Sequence, residues 1–121
     1  ISLLMRNLLE NAMKFQKPNT MAEIKLFCHA VEGKDVQHEL ADRKSKYSVL
    51  SVTDNGIGFS EEETEKIFDI FYQFDDKVKL RVPGIGLAIC RKIMEMHGGF
   101  ILAQSQAEKG SSFYCYFPQG V

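Results

Sequence analysis

The chain has 121 residues, of which 45% are hydrophobic and 26% charged, and its formal net charge is −1 at pH 7. This length and composition predict one globular domain with a single core, and the near-neutral charge excludes a general basic field that would attract nucleic acid or anionic lipid. No apolar run approaches the roughly 20 residues that a membrane-spanning helix needs.

The first half of the chain predicts a helix followed by two strands. Apolar residues recur at helical spacing from Ile1 to about Phe15. The chain begins inside this amphipathic helix without a basic leader or a cleavage site, which predicts a domain that belongs to a larger protein. Residues 23–31 and 47–53 alternate between two faces, as strands do. The segment 32–46 between them is polar and charged, so we expect a solvated hairpin loop without a functional role.

A glycine turn opens the second half of the chain. Residues 54–59 form this turn, and they lead into a helix that Ser60 caps, with Glu63 completing a capping box. An aromatic stretch at 67–74 is followed by a polar loop at 75–83 that carries two lysines and an arginine. Core packing explains the aromatic stretch, whereas the basic loop is either a mobile surface loop or a lid over phosphates.

A second helix and two strands complete the chain. The helix begins at 84–86 and ends at Gly98, which predicts a left-handed cap. Residues 100–105 and 112–117 then predict two strands joined by the turn at 108–110. Helices and strands alternate in unequal blocks, which predicts an α+β fold with a layer of helices on one face of one mixed sheet.

The cysteines and histidines do not predict a metal or redox centre. Cys28, Cys90 and Cys115 lie far apart and form no Cys-x-x-Cys pair, so we expect buried thiols in a reducing compartment. The three histidines lack metal-ligand spacing, and His97 reads as a last-turn residue of the second helix.

Two asparagines lie on one face of the first helix. Asn7, Asn11 and Lys14 fall within about 60° of one another around a helix with 3.6 residues per turn. Asparagine is a poor helix former, so a pair on one face needs an explanation. One explanation is simple solvation; the other is a magnesium site, because Mg²⁺ takes few oxygen ligands from a protein and the rest from phosphates and water. Lys14 would then pair with phosphate.

The turn after the second strand suits a flat nitrogenous ring. Asp54 ends the strand, and a carboxylate there can accept a hydrogen bond from an exocyclic amine such as that of adenine. Gly56 and Gly58 let the backbone approach such a ring closely. A plain hairpin turn at Asn55-Gly56 is the alternative, but the residues that follow lead into a helix.

A second glycine turn, at residues 84–87, precedes the second helix. Free N–H groups at a helix N-terminus favour phosphate, although a simple helix-starting loop explains the same pattern. The turn lacks the dinucleotide-binding fingerprint, because position 89 is isoleucine, and the chain contains no P-loop motif.

The order of these motifs resembles the catalytic and ATP-binding domain of sensor histidine kinases, within the superfamily of gyrase, chaperone, histidine kinase and mismatch-repair ATPases. Four motifs carry the resemblance, namely an asparagine box at 7–15, a first glycine box at 54–59, a phenylalanine box at 67–74 and a second glycine box at 84–87. Residues 97–118 resemble the family's closing strands, and 32–46 is the main unmatched part. The resemblance implies a two-layer α/β sandwich of the Bergerat type, in which the chain is one catalytic domain at 1–121.

The resemblance also implies roles for matching positions, with ATP and Mg²⁺ as cofactors. Asn11 would be the Mg²⁺ ligand, and Asn7 and Lys14 would share its catalytic face. Asp54 would bind the adenine amino group directly and through an ordered water, with Ser112 in the same water network. The further positions implied in nucleotide binding are Lys14, Phe15, Gly56, Ile57, Gly58, Phe71, Gly84, Gly86 and Leu87.

Two departures from the family pattern leave alternatives open. The second glycine box lacks its earlier glycine, because Val82 and Pro83 stand there, and this keeps a degenerate nucleotide-free interaction module as an alternative. The superfamily's hydrolysing branches carry a glutamate base where this chain has Asn7, which cannot accept a proton from water. A hydrolysing ATPase is therefore the less favoured alternative to phosphoryl transfer.

The implied partners lie outside this chain. The resemblance implies transfer of the γ-phosphoryl group to a histidine on a separate helical domain, which this chain lacks, and then signalling to a response regulator. None of His29, His38 and His97 lies in a phosphoacceptor helix motif. We expect a cytoplasmic domain without nucleic-acid or membrane contacts, in a homodimeric parent. The resemblance leaves open whether that parent is anchored in a membrane.

Overall fold

A four-stranded sheet with two α-helices on one face forms the fold that the computed structural model describes over residues 2–64, 66–68, 86–106 and 109–119. Two 3₁₀ turns, Gly33–Asp35 and Glu61–Glu63, lie between these elements. The helices and strands are α1 Ser2–Lys14, β1 Ile24–Glu32, β2 Lys46–Asp54, α2 Gly86–Met96, β3 Phe100–Gln106 and β4 Gly110–Pro118. In the described part of the chain, no helix is long and apolar enough to cross a membrane.

The strand order is β1-β2-β4-β3, and all three described pairings are antiparallel. The expected α+β class with helices on one face is confirmed, but the expected mixed sheet is replaced by antiparallel ladders. The physical reason lies in β4. The connection through α2 makes β3 run parallel to β2, as a helical crossover does. The hairpin partner β4 then inserts between these two strands, so the parallel pair never becomes adjacent.

The core lies between the helices and one face of the sheet. Leu4 and Leu8 of α1 are buried against Cys90 and Met94 of α2, at the helical spacing that the sequence predicts. Phe113 on the interior strand β4 is 1% exposed and is the largest fully buried side chain. Because β1 pairs only with β2 in this sheet, the centre of the core lies under β2 and β4 rather than under β1.

The opposite face of the sheet carries an aromatic cluster formed by Tyr47, Phe100 and Tyr116. The rings of Phe100 and Tyr116 stack at 4.6 Å between centroids, and Tyr47 meets both edge-on. His38, from the connection between β1 and β2, stacks on Phe100 at 5.4 Å. In the same connection, the backbone N–H of Asp42 donates to the Tyr47 hydroxyl at 3.0 Å.

The prediction of a solvated loop at 32–46 is therefore wrong in part, because this segment packs on the sheet. Its compactness has a local cause. The side chain of Asp42 accepts hydrogen bonds from the backbone N–H of Lys44 and from the Ser45 hydroxyl, which lower the pKa of that carboxyl. A Cβ on Gly33 would overlap the carbonyl oxygen of Asp42, so the turn closes tightly at this point.

The thiols divide into two kinds. Cys90 and Cys115 are fully buried in the core, where burial raises the pKa of each to about 12, so both are protonated and unreactive at neutral pH. Cys28 is exposed on β1, which corrects the expectation that all three are buried. Gly98 ends α2 with φ +74°, which confirms the predicted left-handed cap.

The predicted capped helix after residue 60 is only a 3₁₀ turn in the described residues. The side chain of Glu63 accepts from the backbone N–H and the hydroxyl of Ser60, at 3.4 and 3.3 Å. This is the half of a capping box in which the later residue reaches back. The basic loop at 75–83 lies outside the described residues.

Candidate functional site

The carboxylate of Asp54 is held at the end of β2 by hydrogen bonds to both of its oxygens. Oδ1 accepts from the backbone N–H of Gly56 at 2.8 Å, and Oδ2 accepts from the hydroxyl of Ser111 at 2.8 Å. Asp54 and Ser111 are both buried, at 7% and 8% exposure. A carboxylate has about four lone-pair positions, so acceptor capacity remains for a ligand amine.

The first glycine turn packs directly against the end of α1. The backbone N–H of Ile57 donates to the carbonyl oxygen of Phe15 at 2.8 Å. A Cβ on Gly56 would overlap that same carbonyl oxygen, so only glycine fits this close approach. Phe15 itself is 7% exposed. The structure thus brings Phe15 together with Asp54 and its turn, which lie far from it in sequence.

The face of α1 that carries Asn7 and Asn11 lies next to the buried face of the same helix. Asn7 of α1 lies beside the N-terminus of α2. Its side-chain oxygen would be 3.1 Å from a Cβ added to Gly86, the first residue of α2. Its side-chain amide donates to the carbonyl of Leu3 at 2.8 Å, which fixes the amide oxygen toward Gly86. Asn11 is half-buried one turn further on, and Lys14 is exposed at the end of the helix.

The two glycine turns therefore meet α1 at different points along its length, Gly86 near the middle and Gly56 just past the end. Gly86 lies beside Asn7, and Gly56 lies beside the residue that follows α1. Asn11 lies between these two contacts along the helix. An oxygen ligand contributed by Asn11 would therefore lie between the two turns. Of the other predicted residues, Phe71 and Gly84 lie outside the described residues.

The side chain of Leu87 belongs to the core rather than to a ligand site. Leu87 is 6% exposed and packs in the cluster of buried residues between the helices and the sheet. Only its backbone N–H, in the first turn of α2, is left for a ligand. The predicted support of phosphate at this position therefore depends on the backbone.

The structure places Ser112 on the other face of the sheet from Asp54. Ser112 stands opposite Thr53, and their hydroxyls lie 2.9 Å apart. Its neighbour Ser111 stands opposite Asp54 and is the hydroxyl that bonds the carboxylate. The hydroxyl that bonds Asp54 thus belongs to Ser111, one residue before the predicted Ser112. The signal was available, because strand alternation puts Ser111 on the same face as the buried Phe113.

A second serine, Ser105, braces the first glycine turn, although no motif in the sequence pointed to it. The hydroxyl of Ser105 accepts from the backbone N–H of Phe59 at 2.8 Å and donates to the carbonyl of Gly110 at 2.6 Å. It ties the end of the first glycine turn to the hairpin that carries Ser111. A polar groove of about 310 Å³ lies beside this junction and is lined in part by Asp54, Ser105 and Ser111.

These residues fit a magnesium nucleotide. The described residues contain no group of three histidine, cysteine, aspartate or glutamate side chains that could hold a metal by themselves. A Mg²⁺ ion that takes most of its ligands from phosphate and water needs only one or two from the protein, and the Asn11 amide oxygen is a suitable donor. The Asp54 carboxylate can accept a hydrogen bond from a base amine, because its bonds to Gly56 and Ser111 leave acceptor positions unused.

Replacing Ser111 with alanine is expected to weaken nucleotide binding about tenfold, while Ser112→Ala leaves it unchanged. The first change removes one of the two hydrogen bonds that orient Asp54, and one such bond to a charged group contributes about 1.5 kcal/mol. The second removes a hydroxyl on the opposite face. Titration calorimetry of both variants checks this, and equal losses in the two would refute the orientation by Ser111.

Comparison with known proteins places these features in a family context. The family model described as histidine kinase-, DNA gyrase B- and HSP90-like ATPase matches residues 1–121. The adaptive-response sensory kinase SasA of Prochlorococcus marinus (strain MIT 9303) is 36% identical over 113 residues, which cover 93% of this chain and 27% of SasA. The chain thus spans about a quarter of the length of this relative.

Solved structures show the same fold. The catalytic domain of histidine kinase ThkA is 28% identical with a TM-score of 0.65, and the match covers 95% of this chain and 64% of ThkA. The mycobacterial sensor histidine kinase MprB superposes with a TM-score of 0.76 at 20% identity, covering 96% of this chain and 70% of MprB. The latter identity is low, so that likeness bears on the fold alone.

Proposed function

Because the chain belongs to the family of histidine kinase-, DNA gyrase B- and HSP90-like ATPases, as the ATP-binding catalytic domain of a sensor histidine kinase, we propose that it binds Mg-ATP and donates the γ-phosphoryl group to a histidine on a separate domain. The observation that carries the site assignment is the buried Asp54, oriented by Gly56 and Ser111 beside the end of α1. A downstream response regulator, a homodimeric parent and a cytoplasmic location are further parts of this proposal.

In this proposal each residue positions the nucleotide rather than reacting with it. Asp54 accepts the amine of adenine, and the turn at Gly56, which packs on the Phe15 carbonyl, holds that carboxylate in place through its backbone N–H. Asn11 holds Mg²⁺, and the exposed Lys14 and the first N–H groups of α2 contact the phosphates. Bound Mg-ATP supplies the transferable phosphoryl group and the charge neutralisation that such a transfer needs.

Asn7 supports transfer over hydrolysis. Its amide is engaged with the Leu3 carbonyl through nitrogen and turns its oxygen toward Gly86. An amide oxygen is too weak a base to take a proton from water. Asn7 therefore cannot activate a water molecule for attack on ATP. A neutral imidazole needs no such activation, because its unperturbed pKa of ~6.5 leaves it largely unprotonated at pH 7.

A phosphotransfer assay tests this function. The chain is incubated with Mg-ATP labelled at the γ position, together with the helical phosphoacceptor domain of the same parent protein. We expect label on the acceptor histidine, and none after its replacement by glutamine. Fast release of phosphate by the chain alone would favour a hydrolysing ATPase instead. Absence of binding heat with a millimolar non-hydrolysable ATP analogue would favour an interaction module without nucleotide.

A further inference from the structure

Three polar side chains stand in one row across three strands of the sheet. Asp54 of β2 is opposite Ser111 of β4, and Ser111 is opposite Ser105 of β3. Directly opposite residues of antiparallel strands point to the same face. The row lies on the face that carries the helices, because Val52, two residues before Asp54, belongs to the core. Ser111 bonds the carboxylate directly, whereas Ser105 bonds backbone groups on either side of it.

The Ser105 hydroxyl uses both of its hydrogen-bonding capacities on the backbone. It accepts from the N–H of Phe59 at 2.8 Å and donates to the carbonyl of Gly110 at 2.6 Å. A hydroxyl can donate and accept at a single atom, and among small side chains only serine and threonine carry one. The hydroxyl therefore ties two backbone segments together that are distant in sequence.

The first of these bonds reaches one oxygen of Asp54 through the first glycine turn. The turn starts at Asp54, whose Oδ1 accepts from the backbone N–H of Gly56, and it ends at Phe59. The ring of Phe59 is held separately, since it packs on Phe113 at 6.2 Å between ring centroids. Ser105 thus fixes the backbone at the end of the turn, and with it the place from which Gly56 donates.

The second bond reaches the other oxygen of Asp54 through the start of β4. Gly110 lies against the backbone of Asp54, because a Cβ on Gly110 would overlap the Asp54 carbonyl oxygen. Its φ of +102° is in the region that favours glycine. Ser111 follows directly and donates its hydroxyl to Oδ2. By holding the Gly110 carbonyl, Ser105 fixes the point from which Ser111 reaches the carboxylate.

We propose that Ser105 is a positioning residue that sets the selectivity of the site for nucleotides with an exocyclic amine on the base. This inference rests on the proposed function, in which Asp54 accepts that amine. One hydroxyl holds the supports of both carboxylate oxygens, so its loss lets both donors move and misaligns the acceptor positions that face the ligand. The proposed contacts to phosphate and Mg²⁺ come from α1 and α2, so their contribution to affinity should not change.

Two nucleotides measure this selectivity. ATP carries an amine at position 6 of the purine, and purine riboside triphosphate carries a hydrogen there. Titration calorimetry in the presence of Mg²⁺ gives both dissociation constants, and their ratio is the selectivity. The wild-type chain should bind ATP roughly tenfold or more tightly, which one hydrogen bond to a charged group can supply. Equal affinities would show that the amine is not recognised, and would overturn the purine placement of the proposed function together with this inference.

Ser105→Ala should lower the selectivity about fivefold, through weaker binding of ATP, while the affinity for the analogue stays within roughly twofold of wild type. The loss is smaller than the one expected for Ser111→Ala, because Asp54 keeps both of its own hydrogen bonds in a less defined geometry. A hydroxyl that only stabilised the fold would change both affinities alike or neither. A selective wild type together with an unchanged ratio in this variant would overturn the inference and leave the proposed function standing.

Two further substitutions of Ser105 separate hydrogen bonding from side-chain size. Ser105→Thr keeps the hydroxyl, and its methyl has room because Ser105 is half-buried beside the polar groove, so the selectivity should match wild type. Ser105→Cys keeps the shape of the side chain but bonds weakly through sulfur, so it should behave like alanine. Thermal unfolding checks that each variant is folded, and this pair carries the test if the alanine variant is not. Equal selectivity of the two would overturn the inference.

An altered background and a matched control complete the design. In the Asp54→Asn chain, Ser105→Ala should leave the ratio unchanged, because the carboxylate that it positions is gone. A further loss there would mean that Ser105 acts by another route, and would overturn the inference. Ser48→Ala is the control, since it removes another hydrogen-bonded serine hydroxyl at the opposite end of β2, where it accepts from the Gln119 side chain. It should bind both nucleotides like the wild type.

Discussion

Asp54→Asn is expected to lower the affinity for ATP about 100-fold while leaving the fold intact. The asparagine retains an oxygen that can accept from the backbone N–H of Gly56, and the Ser111 hydroxyl can rotate to accept from the new amide group. The acceptor positions of Oδ2 are lost, and the second N–H of the new amide would face the ligand amine instead. A buried polar group left without its partner costs about 1–3 kcal/mol, and roughly 2.7 kcal/mol corresponds to a 100-fold loss of affinity.

Titration calorimetry with Mg-ATP measures this loss, and thermal unfolding checks the fold. Thr53→Val serves as the matched control. It changes the neighbouring residue on β2, whose hydroxyl bonds Ser112 on the opposite face of the sheet. The control should bind ATP like the wild type. An Asp54→Asn variant that also bound like the wild type would show that the purine lies elsewhere.

Asn11→Ala is expected to remove the dependence of ATP binding on Mg²⁺. Asn11 is half-buried on α1, between the contacts that this helix makes with Gly86 and Gly56. Without its amide oxygen the protein offers the cation no ligand at that point, so the remaining affinity should come from the base and the phosphates alone. Affinities measured with Mg²⁺ and with a chelator should then agree within about twofold.

The comparison with Asp54→Asn separates the two roles. Asp54→Asn should weaken binding by the same factor with and without Mg²⁺, whereas Asn11→Ala should weaken only the Mg²⁺-dependent part. Glu10→Gln is the control on the same helix, since Glu10 is exposed and pairs with Arg6. An Asn11→Ala variant whose affinity still rose with Mg²⁺ as in the wild type would contradict the metal assignment.

Local periodicity predicted the elements of this fold well. The helical repeat that placed Leu4 and Leu8 on one side of α1 is observed, and β1 and β2 begin and end close to the predicted residues. These features depend on residues that are neighbours in sequence, so short stretches of the sequence are enough to predict them. The adjacency of Gly56 and the Phe15 carbonyl depends on the whole sheet, and the family resemblance implied only that both residues belong to one nucleotide site.

The errors arose where tertiary contacts outweighed local polarity. The connection at 32–46 is charged, yet His38 packs on Phe100, because the aromatic cluster on that face of the sheet needs a cover. Cys28 was expected to be buried, but it lies on an edge strand far from the core centre. Ser112 was predicted in place of Ser111. Which of the two hydroxyls faces Asp54 depends on how β4 pairs with β2, and the structure pairs Ser111 with Asp54.

The position of β4 has a consequence for biosynthesis. This strand is the last of the described elements in sequence, yet it is an interior strand that pairs with both β2 and β3. Until it leaves the ribosome, β2 can pair only with β1, β3 lacks its partner in the described sheet, and Asp54 lacks the Ser111 hydroxyl. We therefore expect a nascent chain that stops before residue 110 to expose its apolar surface to chaperones, and folding to be completed only after translation has passed this strand.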